Sequence, residues 1–157
     1  MLYLARTKSA LQLKFIPPTF NEKGFLEKEG AILFEGANGE NKEYNWAKDA
    51  KVSFACSTND LPHMYEQFQG FVRNGKIDLK LLHDPNAGTD NKGKTVKIFS
   101  ISSMLNKDQK LIYFINLNEK TGKEEKKVSV IASVGELLLI FDIMRNLSTA
   151  ICGLKAV

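Results

Sequence analysis

Tyr44-Asn45-Trp46-Ala47-Lys48 leads into the β-prone segment Val52-Ser53-Phe54-Ala55, a short helix signal follows across 58–68, and the stretch closes on Leu79-Lys80-Leu81-Leu82-His83-Asp84-Pro85. Val52 and Phe54 fall on one face of the first segment and Lys51 and Ser53 on the other, the period of two that a half-buried strand requires. Thr58, Asn59 or Asp60 can cap the helix, and Pro62 is tolerated in its first turn. Leu61, Met64 or Tyr65, Phe68 and Phe71 make its apolar stripe. Ile77-Asp78-Leu79-Lys80-Leu81 returns to strict alternation, and Asp84-Pro85 reads as a turn leaving that strand.

Upstream, Leu11, Leu13 and Phe15 alternate with Gln12 and Lys14 until Pro17-Pro18 ends the strand. Ala31-Ile32-Leu33-Phe34 is a second strand, and Gly36-Ala37-Asn38-Gly39 is a turn by composition. Residues 44–55 make one long strand or two strands with a bend. Downstream, 83–94 is a polar loop, and Val96 and Ile98 alternate with Lys97 and Phe99. Leu111, Tyr113, Ile115 and Leu117 mark the next strand, 118–122 reads as a hairpin turn, and 126–131 as the return. Ser133 and Glu136 form a capping box that opens a helix running to about residue 151, with Gly153 behind it. Leu137, Leu138, Leu139, Ile140, Phe141, Ile143 and Met144 cover most of that helix, so it must be buried on more than one side. One side can pack on its own sheets. Another subunit suits the rest better than a wholly internal position, with Leu138, Leu139, Phe141 and Ile143 at the interface. The layout is α+β: strands, helix, strands, helix.

The chain has 157 residues, 43% hydrophobic and 25% charged, which suits one domain over 1–157 with its own core. A net charge of +4 is compatible with a polyanion partner without demanding one. Lysine supplies nearly all of the positive charge, since Arg6, Arg73 and Arg145 are the only arginines. Lysine is a point charge on a flexible stem, better suited to backbone phosphates than to bidentate base reading. Cys56 and Cys152 lie far apart in apolar contexts and read as reduced, buried thiols without zinc spacing. The run 137–143 is too short to span a bilayer, so a reducing aqueous compartment, the cytoplasm, is expected, with no membrane partner. No phosphate loop, nucleophile elbow or dinucleotide glycine pattern is present. His83-Asp84 has only His63 as further histidine company, so neither an enzyme nor a bound metal or cofactor is expected.

The order of motifs resembles the Whirly family of single-stranded DNA-binding proteins, in which a "YDW" strand, a "FALS" run, a short helix and a "FFHDP" strand occur in the same sequence. Tyr44-Asn45-Trp46 is similar to the first, with Asn45 where aspartate is usual, and Leu81-Leu82-His83-Asp84-Pro85 to the last. Arg6-Thr7-Lys8-Ser9-Ala10-Leu11 resembles a degenerate "KGKAAL", and Gly30-Ala31-Ile32-Leu33-Phe34 the glycine-led second strand. Cys152-Gly153-Leu154 stands where the family shows Gly-Trp. The resemblance runs from about residue 6 to 153. It implies two four-stranded antiparallel sheets, each followed by a helix, a homotetramer joined by the C-terminal helices, and single-stranded DNA as partner. It also implies a minimal member of bacterial or viral origin, in the host cytoplasm if viral.

Binding single strands needs cations that track phosphates and apolar faces that stack bases. Aromatic candidates are Phe15, Phe34, Trp46, Phe54, Phe99, Tyr113 and Phe114. Tyr44 and Trp46 are the better ones, because they flank Asn45 and precede Lys48 in a polar stretch. The lysines on strands or strand edges project away from the core. The expected site is Lys8, Lys14, Tyr44, Trp46, Lys48, Lys51, Lys80, Lys94, Lys97 and Phe99. Two other readings remain open: an RNA-binding or annealing protein of the same fold, and an oligomeric protein-interaction module.

Overall fold

The computed structural model describes residues 1–87 and 93–153. In chain order the elements are β1 (Leu2–Ala5), β2 (Ser9–Ile16), β3 (Thr19–Phe20), β4 (Leu26–Lys28), β5 (Ala31–Glu40), β6 (Glu43–Tyr44), β7 (Val52–Cys56), α1 (Leu61–Asn74), β8 (Asp78–His83), β9 (Val96–Leu105), β10 (Leu111–Thr121), β11 (Glu124–Ala132) and α2 (Val134–Ile151). Period-two alternation builds two four-stranded antiparallel sheets, each followed by a helix. The first runs β1-β2-β5-β7, with the short β6 continuing along the edge of β5 that β7 occupies. The second runs β11-β10-β9-β8. Strands β3 and β4 form a separate two-stranded hairpin that the sequence pattern did not announce.

The inner faces of the two sheets share one apolar core. Phe34 from the first sheet lies against Phe99 of the second at 4.5 Å between ring centroids, and Phe54 meets Phe99 at 5.6 Å. Even-numbered residues near the middle of β5 point inward, and at Gly36 the sheets come closest. A Cβ there would lie 2.9 Å from both Leu117 Cδ1 and Val128 Cγ1. Glycine is what lets β5 pass beneath β10 and β11. Leu33 and Glu35 therefore face the other way.

Three segments differ from the sequence reading. Gly36-Ala37-Asn38-Gly39 is strand, not turn: Gly36 meets the close approach of the opposite sheet, and Gly39 that of Glu43 and Tyr44 on β6. The chain reverses instead at Asn41 and Lys42, with φ of 51° and 69°, the left-handed pair that a two-residue hairpin requires. Lys42 N donates to Thr7 O at 3.3 Å and fastens this turn to the β1–β2 connection. Residues 45–51 form a loop between β6 and β7, opened by Asn45 Oδ1 accepting from Ala47 N at 3.0 Å. The hairpin after β10 turns at Gly122-Lys123, later than the composition of 118–122 suggests, and Gly122 has φ 59°. Part of the expected polar loop, 88–92, lies outside the described residues, as does Leu154.

Asp60 is the N-cap residue of α1, and Leu61, Met64, Phe68 and Phe71 are its buried stripe. The capping box of α2 is present: Glu136 N donates to Ser133 Oγ at 3.2 Å, and Ser133 N to Glu136 Oε2 at 2.8 Å. Arg6 Nη2 donates to the same carboxylate at 2.5 Å, tying the β1–β2 turn to the start of α2. Helix α2 buries Leu137, Ile140, Met144 and Ile151. Phe141 is half-buried against Phe68 at 4.3 Å and Tyr65 at 5.9 Å, so much of its ring is used within the chain. Leu138 and Leu139 remain 39% and 47% exposed, with Ile143 half-buried. No described helix is long and apolar enough to cross a membrane.

Gly36→Ala is expected to cost about 1–3 kcal/mol by overpacking the sheet interface. Gly70→Ala, inside α1 where nothing lies within 4 Å of the added carbon, should gain about 0.5–1 kcal/mol. Urea denaturation of both variants measures the contrast; equal effects would contradict the tight approach at Gly36.

Candidate nucleic-acid interface

The outward face of the first sheet carries Lys14, Gln12, Glu35, Lys51 and Ser53. Glu35 is only 3% exposed although it points away from the core, because its neighbours cover it. Lys14 Nζ lies 2.5 Å from Glu35 Oε2, Lys51 Nζ donates to Oε1, and Gln12 Nε2 donates to Oε2 at 2.9 Å. Burial pushes the Glu35 carboxyl up, but hydrogen bonds from Lys14 and Lys51 and their charges outweigh it and hold the carboxyl below its ordinary value. Beside this trio, Lys97 Nζ reaches Glu119 Oε1 at 3.0 Å and donates to Ser53 O at 3.0 Å. Ser53 N in turn donates to Glu119 Oε1 at 2.9 Å. Lys14, Lys51 and Lys97 thus have carboxylate partners of their own.

At one end of this face three aromatic rings gather. Tyr3 lies 6.5 Å from Tyr44 and 6.2 Å from Trp46, and Tyr44 lies 6.5 Å from Trp46. The Tyr44 hydroxyl donates to Arg6 O. Tyr3 is 46% exposed, and Tyr44 and Trp46 are half-buried. Each ring props the next, and a platform held this way loses little freedom when a base stacks on it. Lys8 is adjacent: Gly39, the register partner of Tyr44, donates its N–H to Lys8 O at 3.0 Å. Lys8 and Lys48 are exposed and have no ion pair among the described residues.

On the outward face of the second sheet, Lys80, Ser100, Asn116 and Ser129 lie side by side across β8, β9, β10 and β11. Ser129 Oγ donates to Asn116 Oδ1 at 2.7 Å. The next row holds Phe114 opposite Ile131. These two apolar side chains, with Arg6, Thr7, Lys8, Ser9 and Ser129, line an open groove of about 430 Å³. The groove follows the seam where the sheets are laced together. Ser9 Oγ donates to Ser129 O at 2.7 Å, Arg6 Nε to Ile131 O at 2.8 Å, and Asn38 Nδ2 to Lys127 O at 2.8 Å. Lys8 stands between the aromatic cluster and this groove. Lys94 is held at the far end of the β8–β9 connection, where its N–H donates to Asn86 Oδ1 at 3.1 Å and its carbonyl accepts from Asn86 Nδ2 at 3.0 Å.

Phe99 does not belong to the site. It is wholly buried between Phe34 and Phe54, and Phe34, Phe54 and Tyr113 are core with it. Strand β9 is apolar on both faces, so alternation alone could not tell that Phe99 and Ile101 point inward and Ile98 outward. Phe15 is 41% exposed at the end of β2, and Phe114 faces outward. His83 does not pair with Asp84. Its Nε2 lies 3.0 Å from Asp60 Oδ1, and its ring stacks on Phe54 at 4.2 Å, joining β8 to the start of α1. Sequence reasoning missed Tyr3 and the groove partners Ile131 and Ser129. The alternation of Leu2, Tyr3 and Leu4 was the available signal for Tyr3.

Residues 4–143 match the Whirly transcription factor family. The chain belongs to the Whirly family. Its architecture is similar to that of the plant transcriptional regulator PBF-2, with a TM-score of 0.78, 18% identity, and 97% of this chain and 89% of that one covered. It is similar as well to WHY1 from Arabidopsis thaliana (TM-score 0.74, 19% identity, 97% and 84% covered). WHY3 from the same plant gives a TM-score of 0.75 at 19% identity, with 97% and 88% covered. No curated protein matches the chain. In this Whirly chain the tryptophan of Tyr44-Asn45-Trp46 sits on a loop beside the first sheet. The histidine before Asp84-Pro85 is a brace between β8 and α1.

Glu136 behaves as Glu35 does. Burial raises its carboxyl, and hydrogen bonds from Arg6 and Ser133 outweigh that and lower it. A carboxylate lowered in the folded state contributes stability above its ordinary 4.5, and that contribution is lost as pH falls through the lower folded value. Melting temperature should therefore hold between about pH 7 and 5 and fall below about 4. Glu136→Gln should flatten that acid limb; an unchanged limb would remove Arg6–Glu136 from the account.

Proposed function

We propose that this Whirly protein is a sequence-tolerant, non-enzymatic binder of single-stranded DNA that protects or presents exposed strands in replication, recombination or transcription. The observation that carries the reading is the Tyr3–Tyr44–Trp46 cluster, with Tyr3 exposed and the other two rings half-buried, beside Lys8, a cation free of ion pairs among the described residues. Stacking on such a platform contributes roughly 1–3 kcal/mol per base and accepts any base. A duplex presents no open base faces, so single strands are preferred. Lys8, Lys48, Lys80 and Lys94 follow the phosphates, while Phe114 and Ile131 offer a second apolar rest along the groove. The scarcity of arginine supports low sequence preference. Exposed Leu138 and Leu139 support assembly through α2 into a homotetramer, as the family resemblance implies. The free Cys56 and Cys152 fit a reducing cytoplasm.

The test is fluorescence anisotropy with a labelled oligo-dT of about 32 nucleotides, with matched duplex and RNA as competitors at two salt concentrations. Expected are binding that resists duplex and weakens with salt. Equal competition by RNA would move the ligand to single strands of either kind, and no binding at micromolar protein would remove the reading. Trp46→Ala should weaken binding about fivefold to a hundredfold with little change in melting temperature. Leu139→Asp should lower the sedimentation coefficient; an unchanged value would oppose assembly through α2.

A further inference from the structure

The carboxylate at Glu35 is placed where the core does not need it. Its neighbours Phe34 and Gly36 face the opposite sheet, and Glu35 faces outward among Lys14, Lys51 and Gln12. It sits on the face that carries the aromatic cluster, in the same row as Tyr3: Gln12 is the register partner of both Tyr3 and Glu35. A glutamine at this position would accept on one oxygen only and would carry no charge, whereas the carboxylate accepts from Lys51 on Oε1 and from Lys14 and Gln12 on Oε2. The charge itself has a different effect. Two lysines, whose side chains are 42% and 27% exposed, are reduced from a double to a single net positive charge. A phosphate approaching either ammonium meets a carboxylate already in contact with it. Withdrawing a lysine would leave Glu35 buried with one partner fewer, which is strongly unfavourable.

We infer that Glu35 sets the affinity of this face for nucleic acid by holding Lys14 and Lys51 in an internal ion pair that competes with phosphate. This rests on the single-strand reading above. The residue acts through the two lysines and makes no contact with the ligand. It keeps binding weak and readily reversed along a strand, leaving the stacking platform as the main hold.

The experiment is oligo-dT binding across a salt series for the native chain, Glu35→Gln and Glu22→Gln. The last variant makes the same change in net charge on the exposed loop between β3 and β4. With counterion release of about 0.7 per phosphate contact on single strands, Glu35→Gln should steepen the log–log salt slope by about 0.7–1.4 and tighten binding about fivefold or more at low salt. Glu22→Gln should change affinity less than about twofold, since Glu22 pairs with none of the lysines of the face, which are held by Glu35 and Glu119. Equal effects of the two variants, with the native chain binding, would overturn the role of Glu35 alone. Absence of binding by all three would overturn the single-strand reading and this inference with it. Should Glu35→Gln fail to fold, Lys14→Gln in the native background decides. A smaller loss than Lys8→Gln gives supports a lysine held by Glu35, and a loss equal to or larger than that of Lys8→Gln overturns it.

Discussion

The close approach of the two sheets at Gly36 is the constraint from which the other features follow. Leu117 and Val128 occupy the space a side chain would need, so inward and outward positions on β5 are not interchangeable. A register slip of one residue would drive Glu35 into the apolar core and lift Phe34 off Phe99. With the inner face fixed this way, the outer face is fixed too. Glu35 faces outward between its lysines, and the far end of β5 carries the tight turn at Asn41 and Lys42 that returns Tyr44 toward Tyr3.

Much of the architecture was legible in the sequence. The strands that alternate cleanly, such as β7 and β8, and the capping box at Ser133 and Glu136 appear where the pattern puts them, because one side of each element is apolar and the other is not. The resemblance carried by Tyr44-Asn45-Trp46 and by His83-Asp84-Pro85 led to the family. What stayed hidden depended on partners distant in sequence. The residues from Gly36 to Gly39 have turn composition, yet small side chains also serve a strand pressed against another sheet. Phe99 could not be assigned a side, because Ile98 and Phe99 are both apolar and only the packing of Phe34 and Phe54 decides between them.

Charge was the least legible property. Lys14, Lys51 and Lys97 look equivalent to Lys8 and Lys48 in a list of strand lysines. The fold divides them, because Glu35 lies beside β2 in register and Glu119 stands opposite Lys97 on the neighbouring strand β10. Counting lysines therefore overstates the field available to a polyanion, and the acidic residues among them shape the face as much as the basic ones do. A surface of this kind favours contacts made by rings over contacts made by charge.

The seam at β11 has a further meaning for how the protein behaves in a crowded solution. An edge strand ordinarily offers its outward carbonyls as a template for another chain. Here the carbonyls of Lys127, Ser129 and Ile131, successive outward acceptors along that edge, are taken by Asn38, Ser9 and Arg6. A stray strand sliding along β11 finds no free row of acceptors to zip onto. The same bonds that shape the groove also guard this border against aggregation.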